Sequence, residues 1–227
     1  MTTAVIVAAG RGDRLPGEVP KQFRDLCGLP ILEWSVRAFE AHPEVDQVVV
    51  VLPPELAEPP PEWLADRAIV VAGGATRAAS VVRGVATSGR ETSVFLIHDG
   101  VRPFVSSATI SKVLDSARSG PTVPVLPVTD TIKCVDRDGW VERTPARDAL
   151  RAAQTPQGFP AELLRELHRR TDVPEDVTDD SVGCERSGIP VRTVMGDARN
   201  LKITSEADLD YARWLVEGGM IERPSLS

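Results

Sequence analysis

A short apolar run near the start of the chain ends at glycines and is followed by cationic residues. Residues 4–8 read Ala-Val-Ile-Val-Ala, and Gly10, Arg14 and Lys21 come next. The run predicts a fully buried parallel strand. Glycines let backbone N–H groups approach a ligand closely, and the cations would balance its negative charge. The pattern indicates a site for a nucleotide triphosphate, with a plain turn after the first strand as the alternative.

The loop lacks two familiar phosphate-binding motifs. The dinucleotide fingerprint needs a small residue three positions after its second glycine, and here Gly12 is followed by Leu15. The GxxxxGK[ST] phosphate loop is also absent, because Pro20 precedes Lys21. Any nucleotide site at this position therefore belongs to another class.

Apolar strands and amphipathic helices alternate along the chain. Further predicted strands span residues 48–52, 68–72, 93–97, 122–128 and 191–195. Predicted helices span residues 31–39, 77–87, 106–118, 162–170 and 205–216, and Thr178 or Asp179 is expected to cap one more. Five prolines in residues 53–61 predict a surface loop without regular structure, apart from a short turn before Trp63. This alternation is typical of an α/β fold with a mostly parallel central sheet flanked by helices.

Length and charge exclude several classes of protein. The 227 residues suit a single domain over 1–227, and a net charge of −7 argues against a nucleic-acid-binding surface. No apolar run approaches the length of a membrane span. The three cysteines are far apart, and the N-terminus does not resemble a secretory signal, so we expect a cytoplasmic protein.

Asp99 follows a predicted buried strand and precedes Arg102. A buried carboxylate needs a partner, and ligands bind at the carboxyl ends of parallel strands. Magnesium prefers one or two carboxylates together with phosphate oxygens, so Asp99 is a candidate metal ligand. The alternative is an Asp99–Arg102 ion pair that shapes the turn. His98 is predicted to pack at the strand end and not to act as a base.

Residues 130–153 interrupt the alternation of strands and helices. Two short extended segments flank Asp138-Gly139, which is a hairpin signal. The excursion is too polar for the core and too long for a connection. We therefore predict a protruding β-arm that grips a second subunit in a homodimer. Arg143 and Arg151 are expected to belong to a solvated face.

Motifs spread from Ala4 to Trp214 together resemble one family. In chain order they read AAGRGDRL with PKQF, GGATR, HDGVRP, PVTDTIK, AAQTPQGF, TDDS and NLKIT. They resemble the 2-C-methyl-D-erythritol 4-phosphate cytidylyltransferases of the non-mevalonate isoprenoid pathway. The resemblance implies a Rossmann-like nucleotidyltransferase fold with a β-arm that interlocks two subunits. It also implies transfer of CMP from CTP to methylerythritol phosphate, with release of pyrophosphate and with Mg²⁺ or another divalent cation as cofactor.

The same resemblance assigns roles to individual residues. The catalytic cations would be Arg14, Lys21 and Lys202. The nucleotide would be bound by Ala8, Ala9, Gly10, Gly74, Ser80 and Asp99, and Asp99 would also bind the metal. The sugar phosphate would be bound by Arg102, Thr131, Arg147, Thr155 and Thr178.

The sequence departs from the family pattern at several positions. The common HDAAR is HDGVR here, with Gly100 and Val101 beside the expected ribose site. Ala75 stands where some members carry an aspartate. Arg199 stands where some members carry an aspartate thought to help with the metal, so a second carboxylate ligand is in doubt. Two alternatives remain open, a ribitol 5-phosphate cytidylyltransferase and a non-catalytic nucleotide-binding protein. Retention of all four of Arg14, Lys21, Asp99 and Lys202 argues against the second alternative.

Overall fold

The computed structural model describes residues 1–10, 19–169 and 179–224. Its strands are β1 (Thr2–Val7), β2 (Asp25–Leu26), β3 (Leu29–Pro30), β4 (Gln47–Leu52), β5 (Ile69–Ala72), β6 (Val94–Asp99), β7 (Thr122–Pro127), β8 (Cys134–Val135), β9 (Val141–Arg143), β10 (Arg151–Ala153), β11 (Gln157–Pro160) and β12 (Arg192–Met195). Its helices are α1 (Ile31–Glu40), α2 (Pro54–Ala57), α3 (Glu62–Ala65), α4 (Arg77–Thr87), α5 (Ser107–Ala117), α6 (Ala161–Arg169), α7 (Val182–Arg186) and α8 (Glu206–Glu217), with 3-10 turns at Lys21–Phe23 and Arg147–Ala149.

One mixed sheet organises the molecule. Its strand order is β10-β7-β11-β6-β1-β4-β5, and β12 also pairs with β7. β1 lies parallel to both β4 and β6, β5 is parallel to β4, and β12 is parallel to β7. β10 and β11 run antiparallel to their neighbours. The predicted fold class, a mostly parallel central sheet flanked by helices, is confirmed.

Helices cover both faces of the sheet because side chains alternate along its buried strands. Ile6 of β1 packs into a cluster with residues of α1 and α5, whereas Val5 packs into a second cluster with residues of α4 and α6. Gly84 brings α4 close to the sheet, since a Cβ there would overlap Val5. Full burial of each large apolar side chain contributes about 1.5–3 kcal/mol, so both faces stabilise the sheet that carries the site.

Side-chain caps begin three of the predicted helices, α4, α5 and α8. Thr76 accepts a hydrogen bond from the Ala79 N–H at 3.1 Å and begins α4, and Ser106 caps α5 in the same way. Ser205 and Asp208 form a reciprocal capping box at the start of α8. These caps fix where each helix begins and therefore where the preceding loop ends.

Two local predictions need correction. The proline-rich segment is not wholly irregular, because Pro54–Ala57 forms one helical turn, and the fixed φ of proline suits a first turn. The N-cap of α7 is Ser181 and not Asp179; the Asp179 carboxylate instead accepts the Ser181 N–H at 2.8 Å. Thr178, the other predicted cap, lies outside the described residues.

The predicted hairpin in the 130–153 excursion is present. β8 and β9 pair antiparallel, and Gly139 adopts a φ of +87° at the turn, where glycine is favoured. The excursion then returns to the sheet, where β10 pairs with β7. Trp140 is 75% exposed in the single chain. A role for this arm in dimerisation stays a prediction.

Within the described residues, no helix is long and apolar enough to cross a membrane.

Candidate active site

A cavity of about 770 Å³ opens where β1, β5 and β6 end. The carboxyl ends of parallel strands meet at one sheet edge, which brings together loops that are distant in sequence. The structure places eight of the predicted site residues in the cavity wall, namely Ala8, Ala9, Gly10, Lys21, Gly74, Ser80, Asp99 and Lys202. These residues come from segments throughout the chain, and the sheet topology assembles them.

The first loop of the cavity wall follows β1 and leads to Lys21, and hydrogen bonds fix it at Ala8 and at Gln22. The Ala8 N–H donates to the Val51 carbonyl at 2.8 Å, and the Ala8 carbonyl accepts from Gln22 Nε2 at 2.8 Å. Gln22 is 1% exposed, so this bond fixes the short turn that carries Lys21 into the wall. Among residues 1–10, 19–169 and 179–224, no atom lies within 4 Å of a Cβ placed on Gly10.

The second loop approaches the first through glycine. A Cβ at Gly73 would overlap the Ala9 side chain, so the two loops can lie together only because residue 73 lacks one. Ser80 accepts the Gly74 N–H at 3.1 Å and donates to the Thr76 carbonyl at 2.9 Å. Ser80 is 1% exposed, so its two hydrogen bonds fix the second loop from the buried side.

Cations surround the Asp99 carboxylate. Lys202 Nζ lies 2.8 Å from Oδ2, Arg77 Nε donates to Oδ1 at 3.2 Å, and Arg102 Nε lies 3.8 Å from Oδ2. Burial alone raises the pKa of Asp99, but Arg77, Lys202 and Arg102 outweigh it and hold that pKa well below its usual range. The carboxylate is therefore ionised across the physiological range. The Asp99–Arg102 pair considered from sequence is present, and it is the longest of the three contacts.

Buried polar residues support Asp99 from behind. Thr155 Oγ1 accepts the Asp99 N–H at 3.1 Å and lies 3.0 Å from His98 Nδ1. His98 Nε2 lies 3.1 Å from the Arg102 carbonyl, and burial lowers the pKa of His98 to about 4. His98 is thus a neutral packed residue, as its position predicted. Asn200 Nδ2 completes the support by donating to the Thr155 carbonyl at 2.7 Å. In this structure Thr155 orients Asp99 from outside the cavity wall, and its predicted contact with substrate stays a prediction.

Sequence reasoning missed Arg77 and Asp180. Arg77 lines the cavity and bridges Asp99 to Asp180, whose Oδ2 accepts from Nη2 at 2.8 Å. Burial raises the pKa of Asp180 despite this pairing. The available signal was an arginine directly after the Thr76 cap, at the mouth of the Gly73-Gly74 turn.

Several predicted site residues do not join this cavity within one chain. Thr131 and Arg147 are exposed on the arm, and Arg147 Nη1 donates to the Thr129 carbonyl at 2.7 Å. Arg102 lies below the cavity and donates through Nη1 to the Asn200 carbonyl at 2.8 Å. Arg14 and Thr178 lie outside the described residues. Their predicted roles stay predictions.

The structure shows which groups surround the residues that depart from the family pattern. A Cβ at Gly100 would lie 2.8 Å from Leu32 Cδ1 and 3.0 Å from Ala8 Cβ, so Gly100 packs beneath the first loop. Val101 forms part of the cavity wall. Arg199 pairs with Asp197 at 3.4 Å. Among residues 1–10, 19–169 and 179–224, no group of three or more His, Cys, Asp or Glu could hold a metal ion.

The family model described as 2-C-methyl-D-erythritol 4-phosphate cytidylyltransferase matches residues 2–218. The chain belongs to this family. The cytidylyltransferase of Rhodococcus jostii (strain RHA1) is 44% identical over 218 residues, which are 95% of this chain and 95% of that protein. The crystal structure of the Thermus thermophilus cytidylyltransferase is 39% identical with a TM-score of 0.79, and the match covers 95% of this chain and 98% of that one.

Other relatives are longer. The bifunctional enzyme IspD/IspF of Bradyrhizobium diazoefficiens is 42% identical over 223 residues, and the match covers 91% of this chain but 54% of that protein. This chain therefore spans about half the length of such bifunctional relatives. Membership of the family confirms the prediction made from the motifs, and the protein is an enzyme of the nucleotidyltransferase class.

Proposed function

We propose that the enzyme transfers the cytidylyl group of CTP to the phosphate of 2-C-methyl-D-erythritol 4-phosphate. The products would be 4-diphosphocytidyl-2-C-methyl-D-erythritol and pyrophosphate, in isoprenoid precursor biosynthesis. The observation that carries the proposal is the convergence of Lys21, Asp99 and Lys202 on one glycine-lined cavity. Family membership supports the identity of both substrates.

The site suits a reaction that needs positioning and charge neutralisation. A phosphate monoester is already a nucleophile, so its oxygen can attack the α-phosphorus in line with the departing pyrophosphate without a general base. Lys21 and Lys202 would neutralise charge on the triphosphate and on the transferring phosphoryl group. His98 is fully buried and is not part of the cavity wall, so it is not placed to move a proton in the transfer.

The donor set also fits a divalent cation. Asp99 and Glu55 are the carboxylates in the described part of the cavity wall, and magnesium typically binds one or two carboxylates together with substrate phosphate oxygens. Asp99 is ionised, which suits a metal ligand. Bound Mg²⁺ would supply positive charge to the triphosphate oxygens. Each oxygen of an ionised carboxylate has two lone pairs, so coordination by Asp99 would be compatible with its contacts to Arg77 and Lys202.

A homodimer would complete the sugar-phosphate site. Arg147 and Thr131 lie on the exposed arm and not in the cavity of their own chain. An isolated two-stranded hairpin is marginally stable in water, so a second copy of this chain is the simplest partner for the arm. The planar guanidinium of Arg147 matches a phosphate, and we infer that it serves the partner's cavity.

The wide spacing of the cysteines supports a cytoplasmic location.

Substrate discrimination tests this function. Purified enzyme with Mg²⁺ is assayed for pyrophosphate release from CTP, ATP, GTP and UTP, each with methylerythritol phosphate. CTP is expected to support by far the fastest release. Replacing methylerythritol phosphate by ribitol 5-phosphate separates the sister activity, and preference for ribitol 5-phosphate would overturn the proposed substrate. Nucleotide binding without pyrophosphate release in any combination would favour a non-catalytic protein.

A further inference from the structure

Arg77 joins three segments that the chain order keeps apart. It stands at the start of α4, and its guanidinium contacts Asp99 at the end of β6 and Asp180 before α7. The side chains of Asp99 and Asp180 are 11% and 7% exposed, and that of Arg77 is 23% exposed. A single planar fork therefore spans two buried carboxylates beside the cavity.

The two oxygens of Asp99 have different partners. Arg77 donates a hydrogen bond to Oδ1, and the Lys202 ammonium lies 2.8 Å from Oδ2. Any partial rotation of the carboxylate would lengthen both contacts, so Arg77 fixes the plane in which an oxygen of Asp99 faces Lys202. Arg102 lies farther away, at 3.8 Å, and cannot fix this orientation as well.

The Asp180 end of the bridge is itself anchored. Gln157 Nε2 donates to Asp179 at 2.8 Å, and Gln157 Oε1 accepts the Ser181 N–H at 3.2 Å. The turn 179–181 is thereby tied to β11 by Gln157 and to α4 by Arg77. Buried ion pairs add little net stability compared with apolar packing, so a fixed geometry is the clearer consequence of this arrangement.

We propose that Arg77 is a positioning residue, which holds the plane of the Asp99 carboxylate so that one oxygen faces Lys202, and which couples this arrangement to the turn at residues 179–181. Arg77 acts through Asp99 and needs no contact with the reacting atoms. The inference rests on the proposed function, because that function gives Lys202 a part in the reaction.

Steady-state kinetics and crystal structures of Arg77→Gln and Asp180→Asn test the role. For Arg77→Gln we expect kcat to fall about 10- to 100-fold while KM for CTP changes by less than about threefold, because misplacement of a catalytic cation appears in turnover. Asp180→Asn keeps the guanidinium and loses one anchor, so a fall of about three- to tenfold is expected. The double variant should be no slower than Arg77→Gln, because both changes break one coupled unit.

Two controls separate positioning from stability. Arg37→Gln removes another buried arginine–carboxylate pair, Arg37–Glu33 in α1, and should lower the melting temperature without changing kcat. Arg77→Lys keeps the charge without the fork and should restore only part of the loss. If Arg77→Gln does not fold, Asp180→Asn and its crystal structure provide the test.

The expected crystallographic result is a Lys202 Nζ–Asp99 Oδ2 separation clearly longer than 2.8 Å in Arg77→Gln. A folded Arg77→Gln enzyme with kcat within about twofold of wild type would overturn the role, as would an unchanged Lys202–Asp99 contact. Absence of turnover in the wild-type enzyme would instead reject the proposed function, and the crystal structures would still test the positioning by Arg77.

Discussion

The ammonium group of Lys202 lies 2.8 Å from Oδ2 of Asp99, at the floor of the cavity. Lys202 is held there by its neighbour Ile203, which is fully buried and donates its N–H to the Val101 carbonyl at 2.9 Å. The backbone around Lys202 is therefore fixed beside the end of β6. A lysine placed in this way is pre-organised to meet charge that develops at the reacting phosphate.

Replacing Lys202 or Lys21 by alanine should lower kcat by about 100- to 1,000-fold, while KM for CTP changes by less than about threefold. Charge that is needed mainly in the transition state affects turnover more than ground-state binding. Lys112→Ala, on the exposed side of α5, is the matched control and should match wild type. An unchanged kcat with a raised KM for CTP would reassign that lysine to nucleotide binding.

Asp99→Asn should remove most magnesium-dependent turnover while the protein still folds. The change leaves Arg77, Lys202 and Arg102 facing one another without their shared carboxylate, so the free energy of unfolding should also fall by about 3 kcal/mol. Turnover against Mg²⁺ concentration and denaturant unfolding measure the two effects. Asp115→Asn, an exposed carboxylate on α5, serves as the control. Near wild-type activity of Asp99→Asn at low Mg²⁺ would make Asp99 a structural residue only.

Gly73→Ala should raise KM for CTP by about tenfold or more, because the new methyl group overlaps Ala9 and forces the two glycine-bearing loops apart. Gly120→Ala adds the same methyl group at a position where no atom of the described residues lies within 4 Å, and it should leave KM unchanged. Calorimetric titration with CTP measures binding directly. Equal affinities for the two variants would show that the close approach of the loops does not shape the nucleotide site.

The sequence was most informative where periodicity decides structure. The alternation of apolar strands and amphipathic helices predicted β1, β4, β6, α1 and α4, because burial against a parallel sheet imposes those patterns. By contrast, β11 reads Gln-Gly-Phe-Pro, and its strand conformation depends on pairing with β6. No local pattern could reveal it.

The candidate site shows the same limit. Gly10, Lys21, Asp99 and Lys202 stand in motifs and could be selected from sequence. Arg77 and Asp180 also stand in motifs, GGATR and TDDS, but the bridge between them depends on which segments the fold brings together, so the motifs alone do not single them out. Ser80 and Thr155 were selected as ligand-binding residues, and the structure adds supporting hydrogen bonds that their motifs do not indicate.

Mixed dimers test whether two chains share one site. Lys21→Ala and Arg147→Ala homodimers should each be nearly inactive. After joint unfolding and refolding, one cavity of a mixed dimer would receive both lesions and the other neither, so activity should return. If each site is built within one chain, every cavity keeps one lesion. Recovery that stays absent although mixed dimers are demonstrated by mass spectrometry would reject the shared site.

The most direct test of the central claim is a phosphorus-31 NMR time course of CTP, methylerythritol phosphate and Mg²⁺ with the wild-type enzyme. The proposed transfer cleaves the bond between the α- and β-phosphates. Pyrophosphate and a new diphosphate diester should therefore appear in equal amounts as CTP and the sugar phosphate disappear together. Release of inorganic phosphate with formation of CDP, or loss of CTP while methylerythritol phosphate remains unchanged, would contradict the account.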